Sequence, residues 1–270
     1  MTRCASDRTE TNDEQNEWRT IVIDLKSISK NSPKKPRIVI YGPSGIGKTT
    51  FGASAPDPIF IITEDGLGDI DVPHFPLAKS YDDVIDALES LLKEDHEFKT
   101  VVVDSLDWTE NLVWEKTCKR LHVTSIEEPG YGRGYVEAST EWKDLLDILT
   151  RLRDEKDMVV IMIAHGAVVK IEDPIHPAYD QNGLKLHKRA AAKVEEYADI
   201  MGFCALKTLV TTEKEGFNQT RNRAIDTGIR EMYLTPSAGF KAKNRYRLPP
   251  SIPLDYSELE KLLPYAQKEE

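Results

Sequence analysis

Short, continuously apolar runs alternate along this chain with stretches whose apolar residues recur at helical spacing. "RIVIY" (37–41), "PIFIITED" (58–65), "TVVVDSLDW" (100–108) and "MVVIMIAH" (158–165) read as strands buried on both faces. Between them, "SYDDVIDALESLLKE" (80–94) predicts a helix with Val84, Ala87 and Leu91 on one face and Ser80 and Asp83 at capping-box spacing. "TENLVWEKTCKRL" (109–121) predicts a second helix, and a longer one is expected from about Glu137 to Arg153 after the loop "EEPGYGRGY" (127–135). A polar, proline-containing stretch (170–183) leads into a helical "LKLHKRAAAKVEEYA". "DIMGFCALKTLV" and "IREMYL" follow, then a last short helix at "DYSELEKLL" with Asp255 and Glu258 as a second capping box. Strands separated by helices imply an α/β fold with a mostly parallel central sheet flanked by helices. Residues 1–19 are polar throughout and are expected to form a disordered arm; 20–250 then make the domain, and 251–270 a C-terminal helix and tail.

The turn after the first strand carries the chemistry. "GPSGIGKTT" (42–50) has the spacing G-x-x-x-x-G-K-[ST], between an apolar strand and a helix-compatible stretch. Gly42, Pro43, Ser44, Gly45, Ile46 and Gly47 would form the loop whose N–H groups cradle phosphate. Lys48 would reach the β- and γ-phosphates, Thr49 would hold Mg²⁺, and Thr50 would continue the helix. The expected ligands are therefore ATP and Mg²⁺. GTP is not expected, because no [NT]-K-x-D guanine-reading motif occurs.

Asp104 ends the strand "TVVVD" and is the expected second Mg²⁺ ligand. Many hydrolytic relatives place a Glu directly after this Asp, but Ser105 stands here, so the water-activating base is sought elsewhere. Glu64, at the end of the next strand, is the candidate general base, with Asp65 and Asp107 as competitors. His165 ends another strand and is a candidate sensor of the γ-phosphate.

Composition narrows the rest. Of 270 residues, 40% are hydrophobic and 30% charged, and no run approaches the ~18 apolar residues of a membrane span. The polar opening predicts no signal peptide. Cys4, Cys118 and Cys204 are scattered, which points to a reducing, cytoplasmic setting. The net charge of −10 excludes coating of nucleic acid by bulk electrostatics, so any DNA contact must be local. Two segments qualify: "GYGRGY", with Arg133 between two tyrosines, and "KLHKR", with Lys185, Lys188 and Arg189.

The order "GPSGIGKTT", "FIITEDGL", "TVVVDSLDW", "VVIMIAH" resembles the RecA-like P-loop ATPases of phages and prophages, including the Sak-type single-strand annealing and recombination proteins. "GYGRGY", "LKLHKRAAAKVEEYADIMGF" and "KAKNRYRLPPSIPLDYSELEKLL" extend the likeness over about residues 20–265. The resemblance implies a RecA-like core that hydrolyses ATP and acts on single-stranded DNA in recombination or repair. It also implies a ring or filament of copies and a possible single-strand-binding protein as partner. It puts Glu64 in the catalytic-glutamate place and His165 where recombinases carry a polar sensor, often Gln. "KNRY" is similar to an element in which cations reach a neighbour's triphosphate, which makes Lys243 and Arg245 candidates to act in trans. If "FKAKNRYR" is an extended strand, Lys241, Lys243, Arg245 and Arg247 share one face. A nucleotide kinase and an ATP-switched assembly protein without a DNA role are the competing functions.

Overall fold

Because alternate residues of a strand face opposite ways, a strand buried on both faces feeds two cores at once, and that is how the apolar runs are used. The computed structural model describes residues 33–172, 174, 177–214 and 220–265; the expected arm over 1–19 lies outside them. β1 (Arg37–Gly42), β2 (Pro58–Ile62), β3 (Thr100–Asp104), β4 (Val159–Ile171) and β6 (Ile200–Lys214) pair in parallel, in the order β2-β3-β4-β1-β6. β7 (Thr220–Tyr233) adds antiparallel to β6, and β9 (Ser251–Pro253) antiparallel to β7. Val39, Tyr41, Val101, Val103, Val160 and Met162 pack against α2 (Tyr81–Lys93), α3 (Leu106–Leu121), α5 (Ser139–Glu155) and α6 (Lys188–Tyr197). The alternate set, Ile38, Ile40, Val102, Ile161 and Ile163, packs against α1 (Lys48–Ala53) and α7 (Tyr256–Glu260). The result is a mostly parallel sheet with helices on both faces, as expected from the sequence.

The Ser80–Asp83 capping box of α2 forms in both directions. At α7 the second box does not form: Asp255 accepts from the Ser257 N–H at N2 instead of from Glu258, and Glu258 is drawn to Lys261. Four other expectations are corrected. β3 ends at Asp104, because Ser105 stands at the N-cap position of α3 and residues 106–108 are its first turn. The loop before α5 holds a short helix, α4 (Arg133–Glu137). β4 runs on past His165 to Ile171 and pairs antiparallel with β5 (Tyr179–Leu184), so the stretch expected as a polar connection over 170–183 has both its ends in a paired hairpin.

The fourth correction concerns "FKAKNRYR", of which only Lys243–Asn244 form a strand, β8, against β6. The Tyr41 hydroxyl donates to the Lys241 carbonyl at 2.7 Å, and Lys241 Nζ donates to Glu195. Lys243 Nζ donates to the Glu195 and Glu196 carbonyls, Arg245 pairs with Asp199 at 2.9 Å, and Arg247 has φ 57°. Lys241 and Lys243 are thus drawn to Glu195 and the α6 carboxyl end, Arg245 to Asp199, and Arg247 leaves the strand direction, so the four cations do not share one strand face.

Candidate active site at the phosphate loop

The loop between β1 and α1 is shaped by close approach. A Cβ on Gly42 would lie 2.2 Å from the Cys204 carbonyl oxygen on neighbouring β6, so the chain can pass there only without a side chain. Gly47, at φ 103°, is the N-cap of α1, and no side chain caps that end. Its first-turn N–H groups are therefore left for an anion. Lys48 is buried and its Nζ donates to the carbonyls of Gly42 (3.1 Å) and Pro43 (2.8 Å). Burial lowers its pKa, opposed by the acids around it, Asp104, Asp107 and Glu64 among them.

Two strands beyond β1, β3 delivers Asp104 to the same place. The Thr49 hydroxyl donates to Asp104 Oδ2 at 2.8 Å. Burial raises the Asp104 pKa, the Thr49 hydroxyl pulls it down, and the nearby Glu64 charge adds to the rise. A buried carboxylate beside a hydroxyl is the donor set that a Mg²⁺ shared with substrate phosphates uses. Among the described residues no group of three or more acids, histidines or cysteines forms an all-protein cage. Thr49 and Asp104 thus fit a Mg²⁺ that arrives with its nucleotide.

Glu64 reaches the site through a side chain that sequence reading missed. The Thr63 hydroxyl donates to the Ser105 carbonyl at 2.8 Å and accepts from the Ser105 N–H at 3.0 Å. This pair of hydrogen bonds between the ends of β2 and β3 fixes Glu64 beside Asp104. Glu64 lines the pocket; Asp65 is exposed and outside its lining.

His165 also lines the pocket, but it is not alone. Its Nδ1 lies 3.0 Å from both oxygens of Asp107, whose Oδ1 also accepts the His165 backbone N–H. Burial would raise the Asp107 pKa, but the His165 hydrogen bonds outweigh it and hold the carboxyl below its usual value. Asp107 is thus hydrogen-bonded to His165 and, unlike Glu64, lies outside the pocket lining. With Nδ1–H turned to Asp107, Nε2 accepts in the neutral ring and donates only in the imidazolium.

The pocket holds about 450 Å³ and brings together Ser44, Gly45, Gly47, Lys48, Thr49 and Thr50 with Glu64, Asp104 and His165. Arg230 of β7 lines it too; nothing in its sequence neighbourhood marks it. Lys243 and Arg245 lie elsewhere. Arg245 is bound to Asp199, which also holds Arg37 at the start of β1, the end of the sheet opposite the loop.

The two candidate DNA segments meet. Tyr135 stacks on His187 with centroids 3.9 Å apart and an interplanar angle of 9°. Arg133, Lys185, Lys188 and Arg189 are exposed, as is Tyr131. Lys185 Nζ lies 3.7 Å from Asp107, and its backbone N–H donates to the His165 carbonyl. Lys185 precedes α6 rather than opening it; His187 is the N-cap.

Comparison with known proteins agrees with this geometry. A family model described as an AAA domain matches residues 34–246. The chain is also 26% identical over 170 residues to the SPbeta prophage-derived uncharacterized protein YorG of Bacillus subtilis (strain 168). That match covers 61% of the chain and 49% of YorG, so the chain spans about half the length of this relative. The phosphate loop, the Thr49–Asp104 contact and the five parallel strands that hold them lie inside the matched residues, and the chain belongs to the AAA domain family of P-loop ATPases.

Proposed function

We propose that this protein binds Mg²⁺·ATP at residues 42–50 and hydrolyses it to drive work on single-stranded DNA, in phage recombination or repair. The observation that carries the ATPase reading is the 2.8 Å contact between Thr49 and Asp104 in a pocket that also holds Lys48, Glu64 and His165. In this reading Lys48 leaves the Gly42 and Pro43 carbonyls for the β- and γ-phosphates. Mg²⁺, held by Thr49 and Asp104, supplies charge neutralisation at the phosphates. Glu64 takes a proton from water, whose oxygen bonds to the γ-phosphorus as the β–γ bridging bond breaks; ADP and phosphate leave. His165, its ring fixed by Asp107, faces the transferring group.

The DNA part draws on three observations. The Tyr135–His187 stack joins the two basic segments, and Tyr131 adds a fully exposed aromatic ring. Lys185 contacts Asp107, which orients His165, so a strand seated on Lys185 would touch the hydrolytic site through two side chains. The relative YorG is named as prophage-derived, which supports the phage setting. Among the described residues no helix is long and apolar enough to cross a membrane.

The test is ATPase rate with and without single-stranded DNA, on the parent and on Lys185→Ala. The proposal expects stimulation by DNA in the parent and its loss in the variant. Hydrolysis unaffected by DNA would favour an ATP-switched assembly protein instead.

A further inference from the structure

The five parallel strands place β1 between two flanks. Asp104 comes from β3, two strands to one side of β1, and Arg230 comes from β7, two strands to the other. Both line the pocket around the phosphate loop. Arg230 Nη1 lies 3.0 Å from where a Cβ on Gly47 would stand, so its guanidinium lies directly over the loop. The backbone beneath is held in place: Arg230 pairs with Leu206 of β6, and its carbonyl accepts from the Leu254 N–H after β9.

What the guanidinium does not do matters as much. Arg37 and Arg245 are paired with Asp199, Arg120 with Glu137 and Glu141, Arg151 with Glu155 and Arg153 with Asp154, while Arg133, Arg189 and Arg247, without such a partner among the described residues, lie outside the pocket lining. Arg230 has no carboxylate or carbonyl partner for its side chain among the described residues. Yet the pocket that it lines also contains Glu64, Asp69 and Asp104. It is an exposed fork of donors that lies over a phosphate loop and is left unused by the protein.

We propose that Arg230 binds the terminal phosphates of the nucleoside triphosphate in cis and stabilises the charge that develops on the transferring phosphoryl group. It would fill, from the same chain, the place that the resemblance to RecA-like ATPases implies for Lys243 and Arg245 of a neighbour. The inference rests on the ATPase reading above. Arginine suits the role because its planar fork meets two phosphate oxygens at once and stays charged. Arginines that act on a transferring phosphoryl group are worth about 10³–10⁵ in kcat. Arg230 is already over the loop, so each chain would carry a complete site.

The test uses the full chain and its Arg230→Lys and Arg230→Gln variants, with ATP turnover and binding of a fluorescent ADP as readouts. Arg230→Gln should bind ADP within about threefold of the parent, because Lys48 and the loop amides remain, and hydrolyse ATP at least ~10²-fold more slowly. Arg230→Lys should recover a measurable part of the rate. A side chain that merely covers Gly47 would be replaced equally well by either, so equal rates in the two variants would overturn the proposal, as would a parental rate in Arg230→Gln. Mixing Arg230→Gln with Lys48→Ala tests the cis assignment. Complete sites within single chains predict no recovery; recovered turnover would show that Arg230 serves a neighbour and would overturn it. A parent chain that neither binds nor hydrolyses ATP would instead sink the ATPase reading itself, and the two failures are distinguishable by that control.

Discussion

Asn in place of Asp104 separates the fold from the proposed Mg²⁺ site. Asp104 is a buried carboxylate whose ionised form is opposed by burial and by the Glu64 charge and supported by the Thr49 hydroxyl and Lys48. An Asn at 104 has nearly the same shape, and its amide oxygen can accept the 2.8 Å bond from Thr49. Lys48 loses one neighbouring acid but keeps Asp107 and Glu64. The nucleotide-free protein should therefore melt within about 2 °C of the parent. The response to ligand is different. At a concentration of Mg²⁺·ATP one hundred times its Kd, binding stabilises the parent by about 2.7 kcal/mol, or roughly 5–10 °C in Tm for a chain of this size. If loss of the carboxylate weakens binding ~100-fold, the same ligand concentration contributes only about 0.4 kcal/mol, a shift of roughly 1 °C. The assay is a pair of thermal melts of each protein, with and without Mg²⁺·ATP, using a non-hydrolysable analogue for the parent. Asp104→Asn melting with the full parental shift would refute the metal assignment. A nucleotide-free variant that melts far below the parent would refute the claim that Asp104 is kept for its ligand rather than for the fold.

Two further predictions are independent of that one. Glu64→Gln should keep ligand-induced stabilisation but slow ATP turnover by roughly 10²–10⁴-fold, whereas Asp65→Asn, outside the pocket, should not; the reverse pattern moves the base by one residue. Glu110, buried on α3, accepts the His187 backbone N–H with both oxygens, yet burial pushes its carboxyl up to about 7 from an ordinary 4.5. The folded chain then binds more protons here than the unfolded chain between about pH 4.5 and 7, so this group makes stability fall as pH rises through that window, by about 3 kcal/mol. Glu110→Gln should match the parent at pH 4.5 and melt above it at pH 8; equal melting at both would contradict the assignment.

The parts of the site that sequence exposed are those written in local pattern. Residues 42–50 declare themselves because loop, lysine and hydroxyl must follow one another in order. Asp104 was legible because a strand of Val101, Val102 and Val103 has one obvious polar terminus, and Glu64 for a similar reason. Thr63, the His165–Asp107 pair and Arg230 were not legible as partners. Their roles depend on which strands lie side by side and in what register, and the partners are 42 and 58 residues apart in the first two cases. The segment 240–247 shows the opposite error. Alternating cations do suit a strand face, but Tyr41, Glu195 and Asp199, all distant in sequence, capture its groups one by one. Tertiary partners overrode a genuine local signal. The same holds at 165–171, where β4 runs straight past the sheet edge because β5 returns to pair with it.

The central claim is that the chain turns over ATP at the loop that holds Lys48. The most direct measurement is phosphate release from Mg²⁺·ATP by the full chain and by Lys48→Ala, side by side. The account predicts steady turnover by the parent, none by the variant, and loss of the parent's activity when Mg²⁺ is chelated. Release of phosphate by Lys48→Ala at the parental rate would contradict it.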